Sequence, residues 1–289
     1  MDPIFFSQAL VQGILMGGIY GFIAMGLSLI FGVLRVINFA HGEMLTWGMY
    51  IAYVLFIWVG LDPFVSFLIS GILVFLGGYL IQRILVNPIM DYHEAMQVLL
   101  LIGVSLVLTN LALLIWGPDP HSPQTSLALS TLHVQGVIID TVRIIVFAIS
   151  VCITLILFMF LKKTDLGMTI RATADNRLGA RLVGVSVNHV SAITFGIGAA
   201  CVGMSGAMLL PILPVSPGVG EPFTLTSFVI VILGGMGNLI GALIGGLIIG
   251  IAESMGAVLW SPSLKQLVSF VILILIMLFR PQGILGGKR

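Results

Sequence analysis

The sequence predicts an all-α, polytopic transmembrane bundle of about eight spans, some of them broken or re-entrant, and three observations carry that prediction. Of 289 residues, 59% are hydrophobic and 8% charged, with a mean hydropathy of +1.20, whereas a soluble domain carries about 25% charged residues. Charge-free windows run from Pro3 to Leu34, Met44 to Leu61, Pro63 to Gln82, Ala95 to Pro118, Ile144 to Leu161, Val190 to Gly220 and Pro222 to Ala252. Most of them reach the ~20 residues a helical span needs. They are also continuously apolar, which excludes a membrane β-barrel, whose strands alternate over about 10 residues. Residues 1–289 read as a single transmembrane domain with a polar loop at 162–189.

Taken in order, the opening Met1-Asp2-Pro3-Ile4 lacks the basic stretch of a cleaved signal peptide, so the first window is expected to remain as a span. Cys152 and Cys201 lie inside apolar windows and read as small hydrophobes, with neither metal-ligand spacing nor a disulfide framework. The loop from Lys162 to His189 holds five of the twelve Lys and Arg residues. Placing it in the cytoplasm, as the positive-inside tendency demands, puts the N-terminus and the Lys/Arg-free segment Asp119–Asp140 outside, and Arg35 and Arg83 inside.

Arg280, Lys288 and Arg289 also belong inside, yet three crossings after the loop would leave them outside. The window Pro222–Ala252 resolves the parity: it is 31 residues long and is interrupted by Gly234-Gly235-Met236-Gly237-Asn238, so it is expected to turn back as two short helices. Ten of the twelve basic residues are then inside, with Arg143 and Lys265 at the outer interface, where long side chains snorkel. The last span is short, about Leu264–Phe279, with Lys265 and Arg280 at its ends.

Within the loop, Met168, Arg171, Asp175, Leu178 and Leu182 recur at three- and four-residue steps, which predicts one amphipathic helix with an Arg171–Asp175 pair and an adjacent basic stripe of Arg177 and Arg181. Such a helix either docks a cytoplasmic partner or merely holds the topology against anionic lipid. A second polar cluster, Arg35 to Glu43, interrupts two apolar windows. Asn38, His41 and Glu43 either line a translocation path, because ionisable groups at membrane depth face a cavity, or sit in a short cytoplasmic loop in which Asn38 or His41 caps a helix.

Gly237, Gly241 and Gly245, followed by Gly246 and Gly250, read as a helix-packing face. Glu253, just beyond, reads as interfacial. Pro211, Pro214, Pro217 and Pro222 exclude regular helix there, and the run is read as an outer loop able to touch whatever delivers substrate.

The absences narrow the class. No phosphate-binding Gly-x-x-x-x-Gly-Lys-Ser/Thr loop occurs, so energy from nucleotide hydrolysis would have to come from another chain. Apart from the Asn38–Glu43 cluster the windows hold no mid-span acid or His for proton coupling, although sodium coupling through backbone carbonyls stays open. No catalytic constellation, metal site or nucleic-acid-binding pattern is found.

Three blocks carry a resemblance: Ile37-Asn38-Phe39-Ala40-His41-Gly42-Glu43-Met44; Gly167-Met168-Thr169-Ile170-Arg171-Ala172, continuing through Asn176 to Ala180-Arg181-Leu182-Val183-Gly184-Val185; and Leu233 to Gly246. Over most of its length the chain resembles the LivH-type permease subunits of bacterial ABC importers for branched-chain amino acids. The resemblance implies a multi-pass protein of the inner membrane, not an enzyme and without a cofactor of its own. It implies a second, LivM-type permease, two cytoplasmic ATP-binding subunits that hold ATP, and a periplasmic binding protein.

It further implies that Arg171, Ala172, Asp175, Asn176, Arg177, Ala180, Arg181 and Gly184 belong to a coupling helix seated in an ATPase groove. The Ala180-x-x-x-Gly184 spacing would stand in place of the Glu-Ala-Ala loop of other importers, which this chain lacks. A urea or short-amide permease is the alternative within the class; a self-contained sodium-coupled carrier is the alternative outside it.

Overall fold

The computed structural model describes residues 3–123, 130–134, 136–261 and 264–286. Its architecture is an all-α bundle, with α1 (Pro3–Leu34), α2 (His41–Val59), α3 (Pro63–Leu80), α4 (Glu94–Trp116), α5 (Thr141–Lys163), α6 (Asp165–Asp175), α7 (Arg177–Leu182), α8 (Val187–Leu209), α9 (Glu221–Gly234), α10 (Leu239–Leu259) and α11 (Lys265–Phe279). α3 continues through a π-helical turn, Ile81–Val86, and a short 3-10 turn, Asn87–Ile89. Among the described residues seven helices are long and apolar enough to cross a membrane, and α9 and α11 are shorter apolar helices. An antiparallel hairpin, β1 (Thr131–Val134) with β2 (Val137–Asp140), is the exception to the helical expectation and falls in the polar segment before α5.

Local chemistry sets several boundaries. Gly60 ends α2 in the left-handed region (φ 73°), its N–H reaching back to the carbonyls of Leu55 and Phe56. Asp62 then caps α3 by accepting from Phe64 N at 2.9 Å, with Pro63 in the first helical position. His93 Nδ1 caps α4, accepting from Ala95 N at 3.2 Å.

The core is built on α1, α8 and α10. α1 and α10 lie against each other through small residues: a methyl added at Gly13 would meet Ile251 Cα at 2.7 Å, and one at Gly17 would meet Leu247 Cα at 2.8 Å. Backbones this close gain dispersion contacts that bulky side chains would forbid. α8 packs on α3, where Gly78 faces Ala199, and crosses α2 where Gly48 meets Gly203.

The chain ends of the bundle sort by charge. Arg35, Arg83, Lys162, Lys163, Arg171, Arg177, Arg181 and Arg280 gather at the end formed by the last turn of α1, by α6 and α7, and by the turn between α9 and α10. That end is pinned by Ile284 N to Leu233 O (2.8 Å) and Asn238 Nδ2 to Leu285 O (2.9 Å). Arg143 and Lys265 sit at the opposite end. This is the sorting of charge that the parity read from the sequence expects; Lys288 and Arg289 lie outside the described residues.

Two expectations fail at the outer end. Glu253 is not interfacial but buried, and Lys265 turns inward to it rather than snorkelling outward. The reason is tertiary: α11 begins beside α10, with Val268 packed on Gly256, so the ammonium finds a carboxylate closer than the headgroup layer.

Candidate functional site

The polar cluster at 35–43 is folded back into the bundle. After α1 ends at Leu34, Arg35 adopts φ 55°, a conformation uncommon for a residue with a Cβ, and the chain reverses. Val36, Asn38 and Ala40 are buried. His41 Nε2 then donates to Ile23 O at 3.0 Å. Ile23 lies eleven residues before the end of α1, about 16 Å up the helix at 1.5 Å per residue. α2 therefore starts at membrane depth.

α9 also starts there. Its 14 residues span about 21 Å, too short for the ~30 Å hydrocarbon layer. Gly220, which precedes it, is pressed against Gly42 in the first turn of α2; a methyl on either glycine would overlap the other's carbonyl. Gly42 N donates to Thr224 Oγ1 at 2.9 Å, Thr46 Oγ1 donates to Gly42 O at 3.2 Å, and Phe39 packs on Phe228 with ring centroids 5.1 Å apart. Two helix N-termini thus meet inside the bundle, the arrangement in which irregular backbone at depth is tolerated because protein or water satisfies it.

Of the three polar residues in this cluster, Asn38 acts locally. Its Oδ1 accepts from Ala40 N at 3.1 Å, which holds the reversal. This is the turn-forming role, but in a buried segment and not in an external loop. His41 and Glu43 do more. With Nε2–H given to Ile23 O, the neutral ring leaves Nδ1 as an acceptor, and it finds no partner among the described residues. Glu43 Oε2 is likewise unpartnered although the residue is 7% exposed. Buried acceptors without donors are rare and ask for water or a ligand.

The segment from Thr164 to Gly184 departs from the expected single helix. Asn176 (φ −151°, ψ 99°) breaks it, and its Oδ1 caps α7 by accepting from Gly179 N at 2.8 Å. Thr164 caps α6 in the same way through Gly167 N at 3.1 Å. A good N-cap in mid-segment outcompetes continuation of the helix, so Leu178 and Leu182 do not continue the stripe of Met168, Arg171 and Asp175. The expected Arg171–Asp175 pair is not among the ion pairs of the described residues. Arg171 Nη1 instead donates to Leu161 O, bracing the corner between α5 and α6.

Arg177 is half-buried, its Nη2 donating to Met90 Sδ at 3.0 Å, and burial with the nearby Arg181 pushes its guanidinium below the ordinary range. Ala180 is buried, whereas Ala172, Asp175, Asn176, Arg181 and Gly184 are exposed. Gly184 (φ 90°) closes α7, with Val185 N bonded to Ala180 O at 3.0 Å and empty space where a Cβ would stand. Leu178, Leu182 and Val183 are 68%, 80% and 79% exposed. Three large apolar side chains, exposed on and just after α7, form a patch that no other described residue covers.

The glycine face also divides. Gly237 is in the α9–α10 turn (φ 86°) against Gly32 of α1, and Gly241 and Gly245 face α9. Gly246 and Gly250 are the ones that meet α1, at Gly13, Gly17 and Gly21. The four-residue spacing of Gly13, Gly17 and Gly21 is the sequence signal for that seam, and hydropathy windows do not register it.

Residues 9–277 match the family described as branched-chain amino acid transport system / permease component. The chain belongs to that family. Among its relatives, the permease protein BraD of Pseudomonas aeruginosa, of the high-affinity branched-chain amino acid transport system, is 33% identical over 97% of this chain and 96% of its own. LivH of Escherichia coli, described in the same terms, is 31% identical over 98% and 96%. A probable branched-chain amino acid transport permease protein LivH of Methanocaldococcus jannaschii is 25% identical over 91% and 87%. No solved structure matches. As a member of this permease family the chain is one component of a multi-subunit transport system.

Proposed function

We propose that this chain is a membrane-spanning subunit of an ATP-driven importer for branched-chain amino acids in the bacterial inner membrane. It works beside a second permease, with two cytoplasmic ATP-binding subunits and a periplasmic binding protein. The observation that supports the partnership most directly is the patch of Leu178 and Leu182, exposed on a six-residue helix held by its own cap, and of Val183 at that helix's end, flanked by Arg181. An apolar ridge of that kind costs hydration free energy unless a partner groove covers it.

The junction of α2 and α9 supplies the translocation element. Gly42 and Gly220 let two helix starts cross in contact, so a small displacement of α9 opens or closes a polar break carrying His41 Nδ1 and Glu43 Oε2. Force applied to α6 reaches it through α1: Ile170 and Arg171 of α6, Ser28 and Gly32 of α1 and Asn238 of the α9–α10 turn line one cleft. Weak, multi-site contacts suit a path that must release what it accepts. The test is co-purification in mild detergent. The wild-type chain is expected to bring ATP-binding subunits with it, and Leu182→Glu to lose them while keeping its own melting temperature. Retention of those subunits by Leu182→Glu would refute the docking surface.

A further inference from the structure

The outer half of the bundle contains a closed ring of polar groups that the junction does not use. Glu253 of α10 is 2% exposed and accepts three hydrogen bonds: from Tyr20 Oη of α1 at 3.0 Å, from Ser269 Oγ of α11 at 2.6 Å and from Lys265 Nζ at 3.2 Å. Lys265 Nζ also donates to Tyr20 Oη at 3.0 Å. Both carboxylate oxygens are partnered. The ammonium keeps a donor in hand: two of its three N–H groups are spent in the ring, and its side chain is 37% exposed.

Lys265 lines a cavity of about 380 Å³, whose walls include Met16, Leu213, Phe223, Thr226 and Gln266, and it also borders a second of about 320 Å³ on the side of Gln8 and Arg143. The larger volume falls in the range of small-ligand pockets, about 300–1,000 Å³. The first turns of α9 and α11 both border the larger cavity, through Pro222 and Phe223 and through Lys265 and Gln266. The spare ammonium donor attracts an anionic group, while Met16, Leu213 and Phe223 offer apolar contact beside it.

We propose that this cavity is an outward-side subsite for a small amino acid with an aliphatic side chain: Lys265 Nζ takes the carboxylate and the Met16–Leu213–Phe223 wall takes the side chain. The inference rests on the import reading above and deepens it. Leu213 lies within the segment 210–222 and Phe223 directly after it, and Gly220 of that segment touches Gly42, so occupancy of the subsite bears on the α9 start and hence on the junction. A ring that only stapled α1, α10 and α11 would need no cavity and no unused donor.

The test uses the complete importer in proteoliposomes, with Gln266→Cys placed in a Cys152→Ser background, since Cys152 is exposed and Cys201 buried. Leucine and isovalerate, which share the carboxylate and the branched chain, are expected to slow methanethiosulfonate labelling of the Gln266→Cys thiol several-fold. Isoamylamine, which lacks the carboxylate, is expected not to. Lys265→Met should abolish protection and cut leucine uptake by about tenfold or more, the scale of a lost hydrogen bond to a charged group, and the neutral pair Glu253→Gln/Lys265→Met should not restore either.

Protection that survives Lys265→Met, or uptake restored by the neutral pair, would mean a purely structural ring and overturn the proposal. A complex that imports leucine while labelling proceeds unchanged overturns the subsite and leaves the import reading standing. A complex that imports no aliphatic amino acid overturns both.

Discussion

Replacing Gly42 by Ala tests the contact on which the junction depends. The added methyl would stand 2.6 Å from the Gly220 carbonyl carbon and nearer still to its oxygen. Carbon–carbon contact is optimal at about 3.5–4.0 Å, so the two helix starts must part by about 1 Å. The obstacle is backbone and cannot rotate away, which places the cost at the upper end of overpacking, about 2–3 kcal/mol. The Gly42 N to Thr224 Oγ1 bond is strained by the same movement, adding up to about 1 kcal/mol.

The better helix propensity of Ala returns at most about 1 kcal/mol. A net loss near 2–3 kcal/mol shifts melting by roughly 5–10 °C, at about 2–4 °C per kcal/mol for larger domains. Gly77→Ala in α3 is the matched control, because nothing lies within 4 Å of the added methyl; it should melt at or slightly above wild type. Thermal unfolding in detergent, followed by uptake in the reconstituted importer, reads both. If Gly42→Ala melted with Gly77→Ala and transported normally, the two helix starts would not be in contact and the junction would be refuted.

Gly184 sits at φ 90°, where a residue bearing a Cβ costs about 1–3 kcal/mol and Asn is the best tolerated. Gly184→Asn is expected to transport better than Gly184→Val, and Gly184→Val to hydrolyse ATP with little uptake, as measured by the ratio of phosphate released to amino acid imported. Arg181→Glu removes only an exposed charge, so binding of ATP-binding subunits should weaken by less than about fivefold, the equivalent of ~1 kcal/mol. Arg171→Glu should be worse in the same pull-down and also lower the melting temperature, because it opens the α5–α6 corner at Leu161 O.

Much of the bundle was legible because membrane burial acts on every residue of a span: windows such as Ala95–Pro118 and Leu264–Phe279 became α4 and α11 with ends shifted by only a few residues. The turn at Gly234–Asn238 was legible because glycines there take conformations closed to other residues, as Gly235 and Gly237 do. The polar helical segment after α5 was legible in position but not in shape. A stripe at helical spacing passes straight through Asn176, and only the competition between helix continuation and a new cap, won by the Gly179 N bond, splits it.

Hydropathy and charge placement alone determined that this chain is a multi-span bundle and that it turns back near Gly234–Asn238, since both follow from local transfer free energies and backbone preferences that add along the chain. Only the tertiary structure decided that Gly42 meets Gly220, that His41 reaches Ile23, and that Tyr20, Glu253 and Lys265 close into a ring. Those pairings join residues up to 245 positions apart. No periodicity within a helix encodes which neighbour it will pack against, because that choice rests on shape and polar matching between surfaces that exist only once the bundle has assembled.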